Sequence, residues 1–150
     1  MVSPCKEHDM PRTFTIANDD RLIELIEASR NRLVVVSPGL WQRVAKALAK
    51  RIRSAKGPAQ ISVILDVDPE VCRLGFGDLE SIEILNAALM EKGTKLQRQD
   101  GVRIGLLIAD EEILIFSPTP QLIEAGSDAE EKPNAIQLSG GSTESISKAC

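Results

Sequence analysis

The sequence has few of the side chains that hydrolytic and metal-dependent enzymes use. Its single histidine, His8, lies in a segment rich in proline and charge, where a nucleophile or general base is not expected. The cysteines form no C-x-x-C pair, and with one histidine they do not match the spacing of a zinc site. There is also no glycine-rich phosphate loop and no internal repeat. We therefore expect no catalytic residue, no metal, no cofactor, and reduced thiols at Cys5, Cys72 and Cys150.

Long apolar runs and an excess of positive charge are also lacking. The longest apolar stretches, residues 33–36 and 105–109, are far too short to span a bilayer. Prolines and charges in residues 1–11 interrupt any apolar segment of the kind that a secretory signal needs, so we expect a cytoplasmic location. A net charge of −4 gives no overall signature of nucleic-acid binding.

What the sequence does contain is an alternation of strand and helix patterns. Asn18, Asp19 and Asp20 offer N-cap oxygens to a first helix, Ser37-Pro38-Gly39 opens a second, and Asp78 caps a third. Apolar stripes with a period of 3.6 residues follow each of these starts. Alternating or β-branched apolar runs predict strands over residues 13–16, 33–36, 61–67, 94–97, 102–109, 112–116 and 134–138.

This alternation predicts one α/β domain in three layers. We expect a mixed, mostly parallel sheet with helices on both faces, because strand-helix-strand units form parallel pairs. Asp110 and Glu111 supply a tight turn, so the two strands around them form an antiparallel hairpin. Residues 1–11 are expected to be a disordered leader, residues 12–138 the domain, and residues 139–150 a flexible tail or truncated linker.

The order of these features resembles one half of the phospholipase D superfamily. One strand ends in Ser37-Pro38, a later strand ends in Asp66, and the final hairpin turns at Asp110. The resemblance covers about residues 20–118. It implies a phospholipase D-like half that pairs around a pseudo-twofold axis with a second half or, in a homodimer, with a second copy of the chain.

The signature of that superfamily, H-x-K-x-x-x-x-D, is degenerate here. With Asp110 as the aspartate, Arg103 stands in place of the histidine and Gly105 in place of the lysine, and Ser117-Pro118 falls where a glycine-serine pair is usual. In the family the histidine attacks phosphorus and the lysine neutralises phosphoryl oxygens. Because arginine stays protonated and glycine has no side chain, the resemblance implies that catalysis is lost and that Asp110 and Ser117 are remnants.

The first functional hypothesis is therefore a catalytically inactive interaction or scaffold module. A second is that a distal half beyond residue 150 carries an intact motif, which would make this chain the non-catalytic half of a phosphodiesterase or phospholipase. A third is binding of nucleic acid or an anionic partner through the basic helix over residues 41–56. No aromatic residues interleave with its cations, so we interpret them as a solvated helix face.

Five cations are candidate anion-binding residues: Arg43, Lys46, Lys50, Arg53 and Arg103. Arg103 could hold a phosphate or carboxylate through two hydrogen bonds. Our preferred interpretation is that it pairs with Asp100 or Asp110, since surface ion pairs are common.

Acidic side chains crowd the segment after the second long strand: Asp66, Asp68, Glu70 and Asp78. Carboxylate oxygens are the ligands that Mg²⁺ and Ca²⁺ prefer. Because no calcium-binding loop pattern surrounds them, we interpret these residues as a solvated acidic loop.

Overall fold

The computed structural model describes residues 12–56, 60–118 and 133–139. These residues form a seven-stranded sheet in the order β1-β7-β6-β5-β2-β3-β4. The predicted leader over residues 1–11 and residues 140–150 of the predicted tail lie outside the described residues, whereas Ser139 belongs to the last strand. In chain order the elements are β1 Arg12–Thr15, α1 Asp19–Ala28, β2 Arg32–Ser37, α2 Gln42–Ser54, β3 Gln60–Leu65, α3 Pro69–Arg73, α4 Leu79–Glu91, β4 Gln97–Arg98, β5 Gly105–Ala109, β6 Glu112–Phe116 and β7 Ala135–Ser139.

The sheet is mixed, as predicted, but it is not mostly parallel. β2 and β3 pair in parallel, as do β3 and β4. The other four pairings, β2 with β5, β5 with β6, β6 with β7 and β7 with β1, are antiparallel. The antiparallel share is larger than expected because β7 pairs with the predicted hairpin and brings β1 into the sheet as a further antiparallel neighbour.

In the part of the chain that the structure describes, the three long helices pack on one face of the sheet, whereas helices on both faces were expected. Leu33 and Val35 of β2 share a core cluster with α1, α2 and α4, whereas Val34 belongs to a separate cluster with Ile108 and Ile113 on the other face. The cause is the strand order. β1, β2, β3 and β4 run in the same direction and follow one another one way across the sheet, so right-handed crossovers place all three helices on the same side.

Local capping chemistry fixes where the helices begin. Asn18 Oδ1 accepts from the Arg21 amide at 2.9 Å, and Asp78 Oδ1 accepts from the Ser81 amide at 2.7 Å. These bonds confirm the predicted starts of α1 and α4, because a side-chain oxygen satisfies an otherwise unpaired amide. None of the helices in the described residues has the length and apolarity needed to cross a bilayer.

Candidate functional site

One edge of the sheet gathers four of the residues that the sequence analysis singled out: Asp66, Arg103, Gly105 and Ser117. The strand directions bring the carboxyl ends of β2, β3 and β6 to the same edge as the amino ends of β5 and β7. Open α/β sheets place their binding sites at such an edge. Three features occupy it here: an ion pair with a buried carboxylate, a closely packed glycine and a cleft.

The ion pair joins the loop before β5 to the end of β3. Arg103 Nη1 donates to Asp66 Oδ2 at 2.8 Å, and only 2% of Asp66 is exposed. The backbone amides of Gly101 and Asp68 also donate to this carboxylate, at 2.9 and 3.1 Å. Burial opposes ionisation of Asp66, but the bonds from Arg103 and the two amides outweigh it and hold its pKa below the usual value.

The partner predicted for Arg103 was wrong. Asp100 pairs instead with Arg98 at 3.0 Å, and Asp110 accepts from backbone amides elsewhere. Asp66 follows a buried strand, and a buried carboxylate must be paired. From the sequence, this requirement predicts a cationic partner for Asp66, but it does not identify the residue. Arg103 lies in the loop before β5, which begins at Gly105 and not at residue 102 as predicted.

Gly105 lies directly opposite Phe116 in the β5–β6 hairpin. A Cβ atom placed on Gly105 would lie 2.2 Å from Phe116 Cε2 and 2.3 Å from Phe116 Cζ. The ring is itself buried, with 8% of the residue exposed. The position that resembles the family lysine therefore has no side chain, and the neighbouring aromatic ring fills the space that one would need.

Asp110 forms the predicted hairpin turn and also anchors the loop before β2. Its backbone adopts a positive φ of 55°. Its carboxylate accepts from the amides of Arg30, Asn31 and Arg32 at 2.9, 2.7 and 2.9 Å. Burial opposes ionisation, but these three bonds outweigh it and lower the pKa of Asp110. The interpretation of Asp110 as a turn residue is confirmed.

Most cations of α2 are paired with acids on its neighbouring helices. Arg43 contacts Asp20 at 2.6 Å, Lys50 contacts Glu27 at 3.8 Å, and Arg53 contacts Glu91 at 2.9 Å. Lys46 is exposed and has no carboxylate within 4.0 Å among the described residues. Lys46, Lys50 and Arg53 line one shallow depression between α2 and α4, whereas Arg103 lies apart from them at the sheet edge.

The acidic residues after β3 each have an internal partner. Asp66 binds Arg103, Asp68 caps α3 through the Glu70 amide at 2.9 Å, Glu70 pairs with Arg73, and Asp78 caps α4. Within residues 12–56, 60–118 and 133–139, no group of three or more acidic, histidine or cysteine side chains is arranged to hold a metal ion.

Of the three cysteines and the single histidine, the structure describes only Cys72. Cys72 is half-buried, and burial, followed by the charge of Asp78, raises the pKa of its thiol. A raised pKa disfavours the reactive thiolate, so Cys72 has the character of a structural cysteine. His8, Cys5 and Cys150 lie outside the described residues.

A cleft of about 620 Å³ opens between the amino ends of α1 and α2. Its walls include Trp41, Phe76 and Phe116, which are three of the four aromatic residues of the chain. Asp19, Arg43 and Ser117 are among its polar lining. This cleft was not predicted from the sequence, because Trp41 was included in the basic helix over residues 41–56, whereas Trp41 precedes α2 and is half-buried.

Two glycines fix one wall of the cleft. A Cβ atom on Gly39 would lie 2.9 Å from the carbonyl oxygen of Phe76, and one on Gly77 would lie 2.6 Å from the carbonyl oxygen of Leu40. Both distances are below ordinary contact, so the loop after β2 and the loop before α4 pack backbone against backbone. This packing holds the aromatic wall in place without a side chain between the loops.

Comparison with known proteins establishes the fold. No protein-family model and no curated protein matches the sequence. The structure is similar to that of Nuc from Salmonella typhimurium, a phospholipase D family member, with a TM-score of 0.54 and 16% sequence identity over 87% of this chain and 80% of that one. It is less similar to TrmBL2, an archaeal chromatin protein with a described mode of DNA binding, with a TM-score of 0.48 and 16% identity over 90% of this chain and 47% of that one. The chain therefore has the mixed α/β fold of a phospholipase D family member.

Proposed function

We propose that this chain is a catalytically inactive phospholipase D-like domain that serves as an interaction module, paired with a second such half or with a second copy of itself. The main support for catalytic inactivity comes from the two degenerate motif positions, Arg103 and Gly105. Arg103 is tied to the buried Asp66, and a guanidinium cannot attack phosphorus. The ring of Phe116 fills the space beside Gly105, so that position offers no charge to a phosphoryl group.

An apolar row on the face away from the long helices supports the interaction role. The strand register aligns six apolar residues across six strands, and the two at the β1 end, Phe14 and Ile136, are 75% and 37% exposed. The other four residues of the row are partly exposed. Contiguous exposed apolar surface marks interaction sites in soluble domains. The members of the apolar row are Phe14, Ile136, Ile115, Leu106, Val36 and Ile64.

The pairing observed for α2 does not favour the nucleic-acid alternative. Phosphate binding relies on cations that can exchange small counterions for the phosphate backbone. Arg43, Lys50 and Arg53 are already within ion-pair distance of Asp or Glu side chains on α1 and α4. An interaction through apolar surface is therefore the better-supported proposal.

The chain is expected to show no phosphodiesterase activity. Purified protein incubated with bis(p-nitrophenyl) phosphate should release nitrophenol at the rate of buffer alone, because neither motif position provides a nucleophile or a phosphate-neutralising side chain. An active phospholipase D family nuclease assayed in parallel serves as the positive control. Turnover that disappears in Arg103→Ala would contradict the proposal.

Self-pairing through the apolar row is expected to be sensitive to a buried charge. Ile136→Glu should weaken dimerisation about tenfold or more in sedimentation equilibrium, because a carboxylate would be desolvated at the interface. Leu79→Glu is the matched control, since Leu79 is 62% exposed but begins α4, away from the row. A chain that is monomeric at all concentrations, or dimers equally weakened by both variants, would contradict self-pairing through this surface.

A further inference from the structure

The cleft between α1 and α2 has the dimensions of a small-molecule site. Its volume of about 620 Å³ lies within the usual range for ligand pockets. Trp41, Phe76 and Phe116 give it a flat apolar lining in a chain that has no other aromatic residue except Phe14. The contact of Gly39 with the Phe76 carbonyl fixes part of this lining before any ligand arrives, and such preorganisation favours binding.

Most polar groups around the cleft are already satisfied by the protein. Asn134 accepts from the Ala17 amide at 2.7 Å and donates to the Ala17 carbonyl at 3.0 Å. The Ser37 hydroxyl donates to the Gly39 carbonyl at 2.8 Å. Arg43 is held by Asp20 at 2.6 Å. These groups are occupied in structural roles and have little capacity to bind a ligand.

Asp19 is the charged exception. Its carboxylate lines the cleft and is half-buried, and among the described residues it has no hydrogen-bond donor and no cation within 4.0 Å. Burial is the main reason that the pKa of Asp19 is raised, with Arg43 opposing the shift and Asp20 adding to it.

A role in starting the helix does not account for Asp19. Asn18 already caps α1, and a helix amino end would by itself lower the pKa of an acid in the first turn. The carboxylate is thus partly desolvated, and none of the described residues provides a compensating partner.

We propose that this cleft binds a small organic cation with a flat apolar body. The amidinium, guanidinium or ammonium group of the ligand would contact the Asp19 carboxylate and restore the solvation that burial removes. The apolar body would lie against Trp41 and the neighbouring aromatic rings, where a cation also gains from the negative face of the indole. This proposal concerns a different part of the surface from the apolar row and does not depend on pairing of the domain.

Trp41 makes the test direct, because it is the only tryptophan in the chain. Titration of the full chain with benzamidinium should change the tryptophan emission in a saturable way. Benzoate, which has the same shape and the opposite charge, and inorganic phosphate should not. Asp19→Asn should weaken benzamidinium binding about tenfold, the loss expected for one charge-assisted contact. Asp100→Asn, which removes an exposed acid outside the cleft, should leave the affinity unchanged.

Three outcomes would overturn the proposal: no saturable change with benzamidinium, benzoate or phosphate binding as tightly as benzamidinium, or an unchanged affinity in Asp19→Asn. Circular dichroism establishes that each variant is folded. If Asp19→Asn does not fold, Asp19→Ser provides the same comparison, because serine is well tolerated at the start of a helix.

Discussion

Asp110→Ala is expected to lower the free energy of unfolding by about 4 kcal/mol, because it removes an acceptor shared by three backbone amides. Arg30, Asn31 and Arg32 each donate to this carboxylate at 2.9 Å or less. Bonds to charged groups are worth at most about 1.5–3 kcal/mol each, and the bonds from Arg30 and Asn31 are exposed, so water replaces part of their contribution and the total stays below the sum of three full bonds. Alanine at a φ of 55° brings about 1 kcal/mol of backbone strain.

Two further variants separate these contributions in urea denaturation. Asp110→Gly relieves the strain but not the lost bonds, so it should recover only about 1 kcal/mol of the loss. Asp110→Asn keeps one side-chain oxygen and tolerates the left-handed backbone, so it should be the mildest of the three. A loss of less than 1 kcal/mol in Asp110→Ala would show that water or a rearranged loop satisfies the amides.

Asp66→Ala is expected to cost about 3 kcal/mol, since it leaves the amides of Gly101 and Asp68 without their acceptor and Arg103 without its partner. Asp66→Asn keeps the shape of the side chain and removes its negative charge, so it isolates the contribution of that charge to stability. The folded-state pKa of Asp66 is lowered, so its ionisation stabilises the fold above the pKa of the unfolded chain, near 4. That stabilisation is lost as the pH falls through the folded-state pKa.

The stability difference between the wild type and Asp66→Asn should therefore be constant near neutral pH and shrink below about pH 4. Urea denaturation at several pH values measures it. Arg103→Leu leaves the carboxylate buried with only its two amide donors and should cost about 2 kcal/mol. If the difference in unfolding free energy between the wild type and Asp66→Asn does not change with pH, the assignment of Asp66 as an ionised buried group is contradicted.

Features set by neighbouring residues in the chain were predictable from the sequence. The helix starts at Asn18 and Asp78 depend on bonds to amides three residues away, and both were confirmed. The hairpin at Asp110 was equally local. The likeness to a phospholipase D half, based on the order of these elements, agrees with the fold of Nuc.

Features set by contacts across the fold were not predictable in the same way. Arg103 and Asp66 are 37 residues apart, and nearer acids offered equally reasonable partners. The predicted turn at Asp110 places Gly105 opposite Phe116, but the close approach of the Phe116 ring to Gly105 depends on packing in the core cluster around the ring. The basic helix read in isolation suggested an anion-binding face, because the acids that pair with it lie on α1 and α4.

The pairing of β1 with β7 determines the order in which the sheet can be completed. Arg12 lies opposite Leu138, so the first described strand has no neighbour until the last one has been synthesised. Contacts this distant in sequence form late, because a long loop must close before they contribute. The β2–β3 unit and the β5–β6 hairpin are assembled from much nearer residues. We therefore expect the central strands to pair before β1 and β7 complete the sheet.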